Sequence, residues 1–225
     1  MKTCVISQSN YIPWKGYFQM IAQADVFVFY DTVQFTKRDW RSRNKIMTPR
    51  GPIWLTIPVG GNRDRRIDEV ILPSGEWREN HIETVRRIYS YSEHIGDLES
   101  ILEPIFTDEK IVLLSEFNQA IIRKISEYLE IDTVFMNSCD FEIQGDKTER
   151  LIQICKEVNA DVYISGPAAQ NYINNEFENS GIELKWMEYG PFEEYEQCGP
   201  NFSHEVSIID TIAALGKNTI THIIQ

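Results

Sequence analysis

Thr3-Cys4-Val5-Ile6-Ser7, Gln8-Ser9-Asn10-Tyr11-Ile12-Pro13-Trp14-Lys15-Gly16-Tyr17-Phe18 and Ala24-Asp25-Val26-Phe27-Val28-Phe29-Tyr30-Asp31 together form the stretch whose reading decides the fold. Two short apolar runs each end in polar residues, and between them Phe18, Ile21 and Ala22 recur at helical spacing within 17–23. That order predicts a strand, a helix and a strand. The second run, Val26 to Tyr30, has no polar alternation, the pattern of a strand covered on both faces. Ligands of open α/β sheets bind beyond the carboxyl ends of the strands. Residues 7–15 and 31–45 are therefore expected to form one site.

Working outward, 53–59 reads as a third strand stopped by Pro58 and Gly60-Gly61, and 67–72 as a fourth near an edge. From Gly75 the period changes. Trp77, Ile82, Val85 and Tyr89 recur at helical spacing, 101–106 continues the pattern, and 110–130 carries a stripe of Val112, Phe117, Ala120, Ile121 and Ile125. Residues 75–130 thus read as a mostly helical block beside the sheet. Alternation then returns, with strands at 133–136, 161–165 and 182–188 and helices at 148–158 and 208–215. Ser207 with Asp210 reads as a capping box, and Gly216 ends that last helix. The expectation for 1–225 is one α/β domain, a mostly parallel Rossmann-like sheet flanked by helices with a helical block in its middle.

Composition sets outer bounds. The chain has 225 residues, 42% hydrophobic and 25% charged, enough to bury a sizeable core. A net charge of −12 argues against general nucleic-acid binding. The average hides a reversal between Gln34 and Val70, where nine Lys and Arg face four Asp and Glu. An anionic ligand would be drawn there. Cys4, Cys139, Cys155 and Cys198 have no metal-binding or close-pair spacing, so no metal is expected and the thiols read as reduced. No apolar run reaches the roughly 18 residues that span a bilayer, and the amino terminus enters a strand at once. A cytoplasmic protein without membrane insertion is the expectation.

The candidate site follows from the strand ends. Asp31 directly follows a strand, where it would bind a hydroxyl, ligate a metal, act as a base or simply cap a turn; Gln34, Arg38 and Arg43 are expected beside it. Gln8 offers a donor and an acceptor to a sugar or base. Tyr11 and Trp14 offer flat faces for stacking or for ordinary packing. Arg43, Asn44 and Lys45 suggest a phosphate clamp, Arg for bidentate contact and Lys as a point charge. Ser165 and Gly166 fall at a strand-to-helix turn where backbone amides would face an anion. Of the four histidines, His204 alone lies among other polar site-like residues, Asn201, Ser203, Glu205 and Asp210, and would serve as general acid or base. The Arg63, Arg65, Arg66 cluster after the glycine pair reads as a mobile loop.

Gln8-Ser9-Asn10-Tyr11-Ile12-Pro13-Trp14-Lys15-Gly16-Tyr17-Phe18, followed by Ala24-Asp25-Val26-Phe27-Val28, Asp31-Thr32-Val33-Gln34-Phe35 and Arg43-Asn44-Lys45-Ile46, resembles the WbqC-like protein family over most of the chain. That resemblance implies a role in bacterial surface polysaccharide and O-antigen pathways, where nucleotide-linked amino sugars receive acyl or aminoacyl groups. Under it, Arg43, Lys45 and Arg38 hold a diphosphate, Trp14 or Tyr11 packs the base or sugar, and Asp31 or His204 takes the amine proton. The ligand would be a nucleotide sugar, with the acyl donor undefined. A charged tRNA is a further donor compatible with the basic strip, and a non-catalytic nucleotide-sugar-binding or scaffold subunit is the alternative role.

The order of elements is also similar to nucleotidyl-transferase-like folds, including pantothenate synthetases. Those families carry His-x-Gly-His where this chain has Trp14-Lys15-Gly16-Tyr17. The imidazoles that support ATP are missing, so the resemblance leaves the cofactor open, with ATP disfavoured. Lys15 would supply part of the lost charge.

Overall fold

A computed structural model describes residues 1–171, 173 and 176–224. Its centre is the unit read first: β1 (Thr3–Ser7), α1 (Lys15–Ala22) and β2 (Val26–Phe29). β3 (Arg43–Thr48) and β4 (Gly51–Thr56) follow, then α2 (Trp77–Tyr89), α3 (Ile95–Phe106) and α4 (Leu114–Tyr128). The chain continues through β5 (Val134–Asn137), α5 (Lys147–Glu157), β6 (Val162–Ser165), β7 (Glu183–Trp186), α6 (Ile208–Leu215) and α7 (Thr219–Ile223).

Five strands pair in the order β5-β2-β1-β6-β7, every pair parallel. β1 lies in the middle because Cys4, Val5 and Ile6 are apolar on both faces. Side chains alternate across the sheet. Val5, Phe27 and Phe29 pack with α1, the α2–α4 block and α6, while Cys4, Ile6, Val26 and Val28 pack against Leu151, Ile154 and Cys155 of α5. Each such fully buried side chain contributes about 1.5–3 kcal/mol, so both faces are held. The chain builds outward from β1 to β2 and β5, then crosses to β6 on the other side. The switch in direction therefore opens a crevice at the carboxyl ends of β1 and β6.

Two expected strands differ from the observed structure. Residues 53–59 do not join the sheet: β4 pairs with β3 in a separate antiparallel hairpin, Arg43 opposite Thr56 and Lys45 opposite Trp54. A β-rich segment satisfies its ladder with the nearest partner, and the turn at Thr48–Gly51 supplies one. Residues 67–72 are also not a strand. Ile67–Glu69 is a single 3-10 turn in which Glu69 accepts from the Arg66 amide at 2.7 Å, and Ile71 makes only an isolated bridge to Leu113. The local carboxylate outcompeted the ladder. In α6, Ser207 caps the Ile209 amide as expected, but Asp210 does not complete a box, since its carboxylate turns inward. Among the described residues no helix is long and apolar enough to cross a membrane.

Candidate functional site

The β1–α1 loop is the first wall. Ile12 has φ 35°, a left-handed conformation that is costly for a β-branched residue. Asn44 of β3 holds it there: its amide nitrogen donates to the Ile12 carbonyl at 2.8 Å and to the Tyr11 carbonyl at 3.3 Å. Asn44 is buried, so the residue expected in a phosphate clamp has its side-chain amide committed to fixing this loop. Beyond the bend, Pro13 and Trp14 lead into α1. The Trp14 indole lies directly on Gly16, where an added Cβ would come within 2.3 Å of the ring. Only glycine permits that approach.

The β3–β4 hairpin is the second wall. Arg43, Lys45 and Trp54 share one hairpin face, because residues two apart on a strand point the same way. The Arg43 guanidinium lies 4.1 Å and the Lys45 ammonium 5.4 Å from the Trp54 ring centre. Trp40 meets Trp54 at 5.6 Å. Together with Asn10, Pro13, Trp14, Asn44 and Glu205 these side chains line a cleft of about 590 Å³. Trp40 and Trp54 are 43% and 42% exposed, unusual for so large an apolar side chain. Lys45 pairs with Glu205 at 3.3 Å, while the Arg43 Nε has no hydrogen-bond partner among the described residues. The cleft thus offers flat aromatic faces beside two cations, the complement of a planar group carrying negative charge.

A second polar cluster sits at the strand ends. Asp31 is buried; it accepts from the Ser9 amide at 2.8 Å and from Gln119 at 3.0 Å. Burial raises its pKa above the ordinary carboxylate value, and these hydrogen bonds pull it back only in part. Arg41 donates to Gln8 Oε1, to Asn10 Oδ1 at 3.3 Å and to Asp39 Oδ1 at 3.3 Å. Gln8 and Arg41 therefore form a partly buried bridge from the end of β1 to Asn10 on the cleft wall.

Other expected neighbours are dispersed. Tyr11 does not face a ligand. It is fully buried, its ring 6.3 Å from that of Phe117, and its hydroxyl meets His81 Nδ1 at 2.7 Å. Gln34 pairs with the 63–66 turn and donates to the Arg63 carbonyl, and Arg38 occupies an exposed turn at φ 57°. Arg65 is anchored, donating to the Val59 carbonyl at 2.6 Å above the Phe35 ring. Ser165 is buried at the end of β6, and Gly166 lies under the Tyr189 hydroxyl before a short 3-10 turn, Pro167–Asn171.

Lys15 and His204 come together elsewhere. Lys15 is 1% exposed, and burial pulls its pKa down to about 8. His204 is pulled down by burial and by the charge of Lys15. The sequence places Asn10, Trp40 and Arg41 inside the expected site ranges without giving them a role and names Glu205 only as a neighbour of His204; Trp54 and His222 were missed. For Trp54 a signal existed: Arg43-x-Lys45 alternates at the strand period, so both charges share a face and a cross-strand aromatic would lie over them. Nothing local marks His222.

The WbqC-like protein family pattern matches residues 8–222. The chain is 38% identical over 219 residues to the uncharacterized protein Rv1507c of Mycobacterium tuberculosis, spanning 96% of this chain and 95% of that one. No solved structure matches. The chain belongs to the WbqC-like protein family.

Proposed function

We propose that this WbqC-like protein binds a nucleotide-linked amino sugar in the tryptophan-lined cleft and transfers an acyl or aminoacyl group to the sugar amine. The observation that carries the reading is the pairing of exposed Trp54 and Trp40 with Arg43 and Lys45 in one cleft. Stacking on a base is sequence-tolerant and strong, and a guanidinium suits a diphosphate because it can make paired contacts to phosphate oxygens. Arg43 and Lys45 hold the diphosphate, Trp40 and Trp54 take the base, and Trp14 takes the sugar face. Glu205, mostly exposed and already beside Lys45, is available to the sugar amine or a hydroxyl.

The chemistry needs a free amine, since an ammonium has no lone pair for attack. The amine nitrogen forms a bond to the acyl carbon, the donor's leaving group departs with its bonding pair, and the proton goes to a base. Of the two bases expected for that step, His204, next in sequence to Glu205, lies within the charge of Lys15. Asp31 is less available, because both its oxygens already accept hydrogen bonds in a buried setting.

The test is titration of UDP and UDP-N-acetylglucosamine against intrinsic tryptophan fluorescence, followed by a transfer assay with an amino-sugar nucleotide and a panel of acyl donors. Saturable quenching that Arg43→Ala weakens supports the reading. No change with any nucleotide would refute it. Binding without turnover would favour a carrier or scaffold role in polysaccharide assembly, a reading that the commitment of Asp31 to structural contacts also supports.

A further inference from the structure

Between β7 and α6, residues 187–206 run for 20 residues without helix or strand. Loops of that length in a compact protein are usually functional. This strap covers Lys15. The Lys15 ammonium lies 5.0, 4.7 and 5.6 Å from the ring centres of Phe192, Tyr195 and Phe202, all three from the strap. From α7, His222 Nε2 approaches it at 3.4 Å. His204, again from the strap, stands edge-on to Phe202 at 4.5 Å, and its buried Nδ1 has no hydrogen-bond partner among the described residues.

Three basic side chains thus share one aromatic box. The carboxylate that bears on Lys15, Asp210 of α6, is already engaged by Tyr89 at 3.0 Å, Tyr195 at 2.8 Å and Gln197 at 2.6 Å. Glu194 and Glu193 of the strap exert a weaker pull on His204 and His222. The box adjoins the cleft. Trp14 lines the cleft and meets Phe192 of the box at 6.1 Å, and Glu205, which follows His204, lines the cleft as well.

We propose that Lys15, with His204 and His222 beside it, is the proton-accepting centre of this site. The inference rests on the cleft binding a nucleotide-linked amine. As the amine nitrogen bonds to the acyl carbon and the leaving group departs with its electron pair, the nitrogen's proton ends on the free-base lysine, giving an ammonium. The aromatic walls stabilise that cation. Burial holds Lys15 near 8, so its free base is present at mildly alkaline pH, where an ordinary lysine near 10.5 is still charged. Both imidazoles are pulled down by burial and then by the charge of Lys15.

The experiment is a pH titration of lysine Cε signals by NMR on selectively labelled protein, with and without UDP, while tryptophan fluorescence reports independently whether UDP is bound. One lysine signal is expected to titrate near 8 and to move upward when UDP fills the cleft, because a nearby anion favours the charged form. Lys15→Met identifies the signal. Should that variant fail to fold, Phe202→Ala serves instead: it admits water to the box and is expected to move the same single midpoint toward the ordinary value. A midpoint at the ordinary lysine value, or one unmoved by UDP that fluorescence shows to be bound, would overturn the proposal. Unchanged fluorescence would sink the nucleotide reading alone, and the ligand-free midpoint would then decide whether the box holds a base of lowered affinity.

Discussion

The Arg43 guanidinium sits 4.1 Å from the centre of the Trp54 ring, on a cross-strand diagonal of the β3–β4 hairpin. The two side chains hold each other in place, so the cation is kept beside the ring that the proposed function assigns to base stacking. Replacing Trp54 by Ala removes both the stacking face and the support of Arg43. Stacking on an aromatic is worth about 1–3 kcal/mol per base, so UDP affinity should fall on the order of 10- to 100-fold by calorimetry. Unchanged affinity would place the nucleotide elsewhere.

Gly16 sets the position of Trp14. A Cβ at Gly16 would meet the indole at 2.3 Å, so Gly16→Ala must displace the ring or the start of α1. Overpacking of this kind costs about 1–3 kcal/mol. The expected result is a lowered midpoint of thermal unfolding together with weaker binding of the sugar nucleotide relative to UDP, because Trp14 is assigned to the sugar. Equal losses for both ligands would argue against that assignment.

Asn44 supports the left-handed bend at Ile12 through the Tyr11 and Ile12 carbonyls. Asn44→Ala leaves both acceptors buried without this donor, a loss of about 1–3 kcal/mol in urea unfolding. Binding should weaken as well, since the loop carries Asn10, Pro13 and Trp14 of the cleft. A variant with full stability would show that the bend holds itself.

His81 makes stability pH-dependent. Buried between Tyr11 and Trp77, it is held neutral, its pKa pulled from 6.5 down to about 4 by desolvation. Between those values the unfolded chain binds a proton that the folded chain refuses. Its contribution is complete above 6.5 and is lost as pH falls toward 4, by on the order of 3 kcal/mol. Asp31 acts with the opposite sign: its raised pKa means that stability is lost as pH rises past the ordinary 3.8. Urea unfolding at pH 7 and pH 4.5 should show the His81 loss in the native chain and a smaller one in His81→Phe. In Asp31→Asn the stability at pH 7 should match or exceed that of the native chain. A large loss at pH 7 would mean that the carboxylate's charge is needed for folding.

Periodicity made much of this legible. The apolar run at Val26–Phe29 and the alternation at Ile182, Leu184 and Trp186 correspond to strands, and the stripe through Phe117, Ile121 and Ile125 to α4. Those patterns arise because one face, or both, must leave water, which is written residue by residue. Ile53 and Ile67 fall in apolar segments of similar look and yet leave the sheet, because which partner a strand takes is settled by proximity and turn geometry.

By itself, then, the sequence determined the alternation of elements, the doubly covered β1–β2 centre, the helical block and the family. It also marked the basic strip at 34–70 as the region where an anion is expected. Only the tertiary structure decided which members of that strip meet: Arg43 and Lys45 face Trp54, Arg41 reaches back to Gln8, Gln34 bonds the Arg63 carbonyl, and Arg38 stays exposed. It alone brought His222, 207 residues further on, against Lys15. Burial and strand period are local properties of a chain, whereas the neighbours of a charged side chain are fixed by how distant segments pack, and no local pattern encodes them.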